Sequence, residues 1–281
     1  MEDETISITR PQSNPVVQNK FNNEPKKESK YPTEIIELPS EGRFYSMDSV
    51  LSSGEVELKM MTAREEDILT NQNFIRKGTV LDKLLESLIV DKRVNINDLL
   101  IGDKNAIFFA ARRLAYGDDY GPLEIKCPSC RESNKITVNL GELGYKKIEL
   151  SDFDKGVNEF SYVLPFSKVN ITYKLITSGD ESSVDAEMKA LQKIKSTNTS
   201  SEVTTRMKRI IVSVNGDTDK KVINKFVDEM LSRDSIELRK HVKGHTPDVD
   251  NNFNFVCEHC NHEERVAVPM TVAFFWPESR G

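Results

Sequence analysis

Two Cys-x-x-Cys pairs, Cys127-Pro-Ser-Cys130 and Cys257-Glu-His-Cys260, hold all four cysteines of this 281-residue chain. A two-residue spacer lets both thiolates of a pair face one ion, and two such knuckles supply the four soft ligands of a tetrahedral zinc site. Each pair sits where a β-hairpin would turn. Leu123-Glu-Ile-Lys and Phe253-Asn-Phe-Val lead in, and Lys135-Ile-Thr-Val-Asn-Leu and Glu264-Arg-Val-Ala-Val lead out. Apart from the second lead-in, these runs alternate as strands do. The halves of an ordinary zinc ribbon lie about 15–20 residues apart, whereas here 126 residues intervene. One structural Zn2+ on Cys127, Cys130, Cys257 and Cys260 would therefore clamp together two distant parts of the chain.

The length suits one large or two small folding units. Hydrophobic residues make up 37% and charged residues 30%, enough for a core with solvated stretches beside it. A net charge of −6 and a pI near 5.5 argue against broad nucleic-acid binding, which needs an excess of Lys and Arg over phosphate. No apolar run reaches the 18 or more residues of a membrane span. Met1-Glu-Asp-Glu-Thr lacks the basic and apolar regions of a secretion signal. Paired thiols without such a signal fit a reducing cytosol and metal binding better than disulfides.

Residues 1–33 are polar and aperiodic, and are expected to form a disordered arm that orders on a partner. Glu34-Ile-Ile-Glu-Leu reads as the first strand, followed by a turn-rich loop at Pro39-Ser-Glu-Gly-Arg-Phe-Tyr. Residues 34–122 form a mainly helical region. Glu55-Val-Glu-Leu-Lys-Met-Met alternates as a strand, and Thr62 with Glu65 makes a capping box for a helix to about Thr70. Leu81, Leu84, Leu85, Leu88 and Ile89 lie on one helical stripe. Asn97 starts a short helix. Asp103 is placed to cap a longer helix, Lys104 to Tyr116, which buries Ile107, Phe108, Ala111, Leu114 and Ala115 and ends at Gly117.

Residues 146–249 form an α+β insert. Phe160-Ser-Tyr-Val-Leu and Val169-Asn-Ile-Thr-Tyr-Lys-Leu are expected to pair across Pro165-Phe-Ser. A helix from about Ser183 to Lys195 carries Met188, Leu191 and Ile194, and a flexible loop covers 196–201. Met207-Lys-Arg-Ile-Ile-Val-Ser-Val fits either helix or strand, and Asn215-Gly216 closes it with a tight turn. Val222, Ile223, Phe226, Val227 and Met230 mark a helix, and a last one runs near Ser235–Val242 up to Gly244. Residues 123–145 with 250–281 would form the zinc-ribbon-like unit. Its apolar end, with Phe274, Phe275 and Trp276, either docks back onto the core and covers the zinc hairpins or is a partner-docking tail. The fold class is α+β: a helical N-terminal half and two joined knuckle hairpins with a long α/β insert between them.

Catalytic signatures are absent: there is no phosphate-binding loop, dinucleotide fingerprint, HExxH or GxSxG, so the chain reads as a non-enzyme. Gly117-Asp118-Asp119 reads as a solvated turn rather than a metal site. His262, two residues past Cys260, is an alternative to one thiolate, and His259 belongs to the knuckle with its side chain turned away. His241 and His245 read as surface groups near a helix end. Arg112-Arg113 and Arg206, Lys208 and Arg209 are basic clusters without the interleaved aromatics of a nucleic-acid surface. A nucleic-acid-binding ribbon is the rival to a purely structural one.

Several motifs in order carry a family likeness. They are Met61-Thr-Ala-Arg-Glu-Glu-Asp-Ile-Leu, Leu88-Ile-Val-Asp ahead of Asp98-Leu-Leu, Phe108-Phe-Ala-Ala-Arg-Arg-Leu-Ala-Tyr-Gly, both knuckles, and terminal Phe274-Phe-Trp. Over residues 34–281 the chain resembles the baseplate hub subunit family of T4-like contractile-tailed bacteriophages. The resemblance implies a structural or assembly role without catalysis, in the virion tail baseplate after assembly in the host cytoplasm. The implied partners are other hub proteins or the tape measure protein. A transient assembly chaperone is the alternative within that likeness.

Overall fold

The first strand, β1 (Thr33–Glu37), pairs antiparallel with β2 (Glu55–Lys59). In β2 the alternation Glu-Val-Glu-Leu-Lys turns Val56 and Leu58 into the core, as period-two patterning requires. The computed structural model describes residues 31–194 and 202–275. Residues 1–30 of the expected arm, the 196–201 loop and Trp276 lie outside the described residues, while Thr33 already belongs to β1.

Helix α1 (Ala63–Thr70) begins at the Thr62–Glu65 capping box. The Glu65 carboxylate does more than cap. It is fully buried and accepts bonds from the Thr62 N–H (2.8 Å) and hydroxyl (2.6 Å), Lys59 Nζ (2.6 Å) and the Ser87 hydroxyl (2.6 Å). These bonds tie β2, α1 and the more distant Ser87 to one carboxylate and, against the penalty of burial, hold Glu65 down at about 2. Between them lies α2 (Gln72–Lys77), a short helix capped by Asn71 and stopped at Gly78 in the left-handed region, which the apolar periodicity does not signal. In α3 (Val80–Leu88) the stripe packs as expected at Leu84, Leu85 and Leu88, with Leu81 half-buried. Ile89 is buried too, but has left the helix and bridges to Leu58.

Asn97 lies in a single 3-10 turn at Ile96–Asp98. Helix α4 (Ile101–Tyr116) starts before the expected cap, so Asp103 lies within its first turn rather than ahead of it. There it is fully buried and accepts the Ser40 N–H (2.9 Å) and hydroxyl (2.6 Å) and the Tyr45 O–H (2.5 Å). Tyr45 Oη in turn accepts the Leu100 N–H at 2.9 Å. The turn-rich loop is thereby pinned to the start of α4. Gly102 is required at this place, because a Cβ there would lie 1.8 Å from the Pro247 carbonyl oxygen. Gly117 ends α4 with φ 78 and ψ −177, a conformation that suits glycine but is not the left-handed cap.

The first knuckle hairpin is β3 (Asp119–Lys126) with β4 (Ser133–Asn139). The insert follows: β5 (Phe160–Val163), β6 (Asn170–Tyr173), α5 (Ser178–Ile194), α6 (Glu202–Ile210), β7 (Ile211–Val214), α7 (Lys220–Glu229) and α8 (Ser232–His245). Its strands form an antiparallel sheet in the order β5-β6-β7. The ambiguous Met207 stretch is both things in turn, helix to Ile210 and strand from Ile211. Helix α8 starts at Ser232 and runs past Gly244, which does not close it. Asp234 in its first turn accepts the Phe166 and Ser167 N–H groups, each at 2.9 Å, and so holds the β5–β6 turn. His241 stacks on Tyr162 at 4.0 Å and touches His245 at 4.2 Å, so both are half-buried packing groups rather than free surface ones. Burial and the neighbouring His245 hold His241 below its usual value.

The second hairpin is β8 (Asn252–Val256) with β9 (Glu263–Ala267). The fold is mixed, with small sheets. Helices occur both before the first knuckle, α1 to α4, and in the insert, α5 to α8. One buried cluster runs from Leu38 through the Leu84–Leu88 stripe, Tyr173, Ile223 and Leu238 to Phe275. Between Leu99 and Ser178 (2.7 Å) and between Ile101 and Ile176 (3.2 Å), backbone bonds join the insert to the start of α4.

Candidate metal centre

Both knuckles are built alike. In each, the first cysteine N–H donates to the residue five positions on, Glu132 (3.0 Å) or His262 (2.9 Å). The residue after the second cysteine, Arg131 or Asn261, returns an N–H to the first cysteine carbonyl at 2.9 Å. Arg131 (φ 67) and Asn261 (φ 55) both sit in the left-handed region, which asparagine adopts more readily than arginine. The turn therefore places both thiols of a knuckle on one side.

The two knuckles meet. Sulfur atoms of Cys127, Cys130, Cys257 and Cys260 all lie within 4.8 Å of one another. Across the junction, Cys127 Sγ is 3.7 Å from Cys260 Sγ and Cys130 Sγ is 3.6 Å from Cys257 Sγ. A tetrahedron of sulfurs about 2.3 Å from a central zinc has edges of about 3.8 Å. The spacing thus matches a four-thiolate site and is far too wide for disulfides, which need about 2.05 Å. His262 is not in this set; its Nε2 lies 4.0 Å from a Glu264 oxygen. His259 is exposed.

A polar residue that the spacing argument overlooks joins the hairpins. Asn134 on β4 is buried, and its Oδ1 accepts the Glu258 N–H of the opposite knuckle at 2.9 Å. Its Nδ2 donates to the Glu132 carbonyl (3.1 Å) and to Cys257 Sγ (3.6 Å). Beside it Phe255, Cys127 and Cys257 form a small buried cluster flanked by Ile125, Ile136, Phe253 and Val266. At Cys257, burial raises the pKa, but the His259 and Cys260 N–H groups and the Cys130 and Cys127 thiols outweigh it and bring it to about 6. At Cys130 the Glu132 N–H lowers it, and burial with three neighbouring thiols outweighs this to reach about 12. One thiol of the crowded set is therefore ready to ionise first.

A family model described as T4 bacteriophage base plate protein matches residues 32–276. The chain belongs to this family. The match runs from β1 through both knuckles and the insert to the C-terminal turn. No curated protein and no solved structure matches the chain. Membership makes it a structural component of a phage tail base plate, and its partners other phage structural proteins. Among the described residues, no helix is long and apolar enough to cross a membrane.

Other expected site residues of this base plate protein lie elsewhere. Phe274 and Phe275 are each 1% exposed. Phe274 meets Phe109 (5.2 Å) and Tyr120 (5.0 Å), and Phe275 meets Phe108 (6.0 Å). Both rings are therefore packed in the core. Arg112, expected in a basic cluster, is 1% exposed and donates to the carbonyls of Phe274 (3.0 Å), Gly117 (3.3 Å) and Asp119 (3.3 Å). Arg113 pairs with Asp118. Arg206, Lys208 and Arg209 pair with Glu181, Asp228 and Glu187. Neither basic cluster offers phosphate a field of unpaired cations.

Proposed function

We propose that the chain is a component of the base plate hub that acts by binding other hub proteins or the tape measure protein. In this reading a zinc ion on Cys127, Cys130, Cys257 and Cys260 is a clasp that closes the chain on itself. The observation that carries the clasp is the four-sulfur cluster, assembled from knuckles 126 residues apart at tetrahedral spacing. Bound there, zinc would supply no chemistry beyond cross-linking, since four protein thiolates leave no open coordination position. The hub assignment is supported by the family and by the ordered motifs from Met61 to Phe274. With Phe274 and Phe275 in the core, a docking role at the C-terminal end would rest on Trp276.

Mass spectrometry of purified virions and of base plates stripped from them tests the assignment. The chain is expected in both, in the central hub fraction. A chain needed for tail assembly yet missing from finished particles would instead be an assembly chaperone, and one bound to packaged DNA would be the nucleic-acid rival.

A further inference from the structure

Between the two knuckle hairpins lies a cleft of about 760 Å³, lined by consecutive residues Ile136–Asn139 of β4 and Asn252–Val256 of β8. Consecutive lining residues mean that the cleft is bounded by two strand edges, not by one face of a sheet. Each hairpin is a two-stranded sheet, so among the described residues these edges have no strand partner. Both ends are closed. At one end Asn134 and the sulfurs join the hairpins. At the other, Tyr145 bridges to Val249, with the Lys146 N–H on the Asp248 carbonyl (2.9 Å) and the Asp250 N–H on the Gly144 carbonyl (2.8 Å).

The hydrogen-bond phase shows what the edges present. In an antiparallel pair, residues alternately bond their partner and point both backbone groups away. The Cys257 N–H donates to His262 and the Val268 N–H to Asn251, each at 2.9 Å. Residues 251, 253, 255 and 257 therefore face β9, and Asn252, Asn254 and Val256 face the cleft. On β4 the Ile136 carbonyl faces Gly121 of β3, which turns Thr137 outward. No hydrogen bond among the described residues reaches the backbone of Thr137, Asn254 or Val256 from the cleft side.

We propose that this cleft receives an extended polypeptide segment of another base plate protein, added as a strand along β8. The inference rests on the hub reading above and names its partner chemistry. Unpaired, regularly spaced N–H and C=O groups are complementary to peptide backbone. From the rise per residue, the edge fits about four to six residues. The one cation in the lining, Arg265, is already paired to Asp250 at 2.8 Å, which disfavours phosphate. Closure at both ends favours a single segment over the folded sheet of a second copy.

The test is complementation of a phage lacking this chain, read as yield of tailed particles. Asn254→Pro removes only an outward N–H, a change an edge strand tolerates, and should cut the yield by about 10-fold or more. Asn254→Ala keeps that N–H and should match wild type. Full yield with a folded Asn254→Pro chain overturns the inference and leaves the hub reading standing. Normal base plates without any copy of the chain would sink both. Hydrogen exchange on wild-type chain, free and in the assembly that carries it, is independent of whether the variant folds. Amides of Asn254 and Val256 should slow by about 100-fold on assembly, while the already bonded Phe253 and Phe255 barely change. Unchanged exchange, uniform slowing without alternation, or slowing in the free chain by self-association would each overturn it.

Discussion

Replacing Asn134 by alanine would separate the clasp from its scaffold. The side chain makes three bonds: it accepts from Glu258 at 2.9 Å, donates to Glu132 at 3.1 Å, and donates to Cys257 Sγ at 3.6 Å. Two neutral bonds contribute about 1 kcal/mol each, and one to a charged sulfur about 1.5–3 kcal/mol. The Glu258 amide is only part-buried and can recover some of its loss from water. The expected cost is thus about 2–4 kcal/mol in the zinc-loaded chain. It should be smaller, about 1–2 kcal/mol, after chelation under reducing conditions, because a neutral thiol accepts more weakly than a thiolate. Urea unfolding of both forms of wild type and Asn134→Ala measures the two values. Zinc release to a chelator should quicken by about 10-fold, the equivalent of 1.4 kcal/mol. A change below about 0.5 kcal/mol in both forms would refute the reasoning, since it would leave the hairpins joined without this residue.

Glu65, Phe274 with Arg112, and Asp103 give further outcomes. Glu65 is held at about 2 in the fold against an ordinary 4.5; its contribution is fully present above 4.5 and is lost as pH falls towards 2. Metal-stripped wild type should lose roughly 2–3 kcal/mol across that window, and Glu65→Gln should flatten the loss in melts at pH 5 and pH 3; equal slopes would contradict this. Phe274→Ala should cost about 3–5 kcal/mol in urea unfolding, with coupling to Arg112→Met in a double-mutant cycle. Asp103→Ala strands the Ser40 amide and the Tyr45 hydroxyl, and should cost about 2–4 kcal/mol. Near-wild-type unfolding midpoints would discount either anchor.

What sequence alone could show follows from range. The Thr62–Glu65 cap, the Leu84–Leu88 stripe and the tight Asn215-Gly216 turn are patterns within a few residues, and each appears in the structure. The cysteines could be picked out at long range because their chemistry admits few uses. Asp103, Arg112 and Asn134 carry no such signal. The partners that matter most lie far off, 58 and 63 residues away for Asp103, 162 for Arg112 and 123–124 for Asn134, so each resembles an ordinary polar residue until the fold is known. Asp103 reads as a cap from its local neighbours, while its partners are on the Ser40–Tyr45 loop. Helix α2 gives no sequence signal because its capping residues, Asn71 and Gly78, enclose no apolar period.

The clasp is tested most directly by metal content measured with stability. Chain purified under reducing conditions should carry one zinc, and Cys127→Ser should lose most of it together with a large fall in melting temperature. Wild type free of metal at full stability, or a Cys127→Ser chain that keeps both its zinc and its melting temperature, would contradict the account.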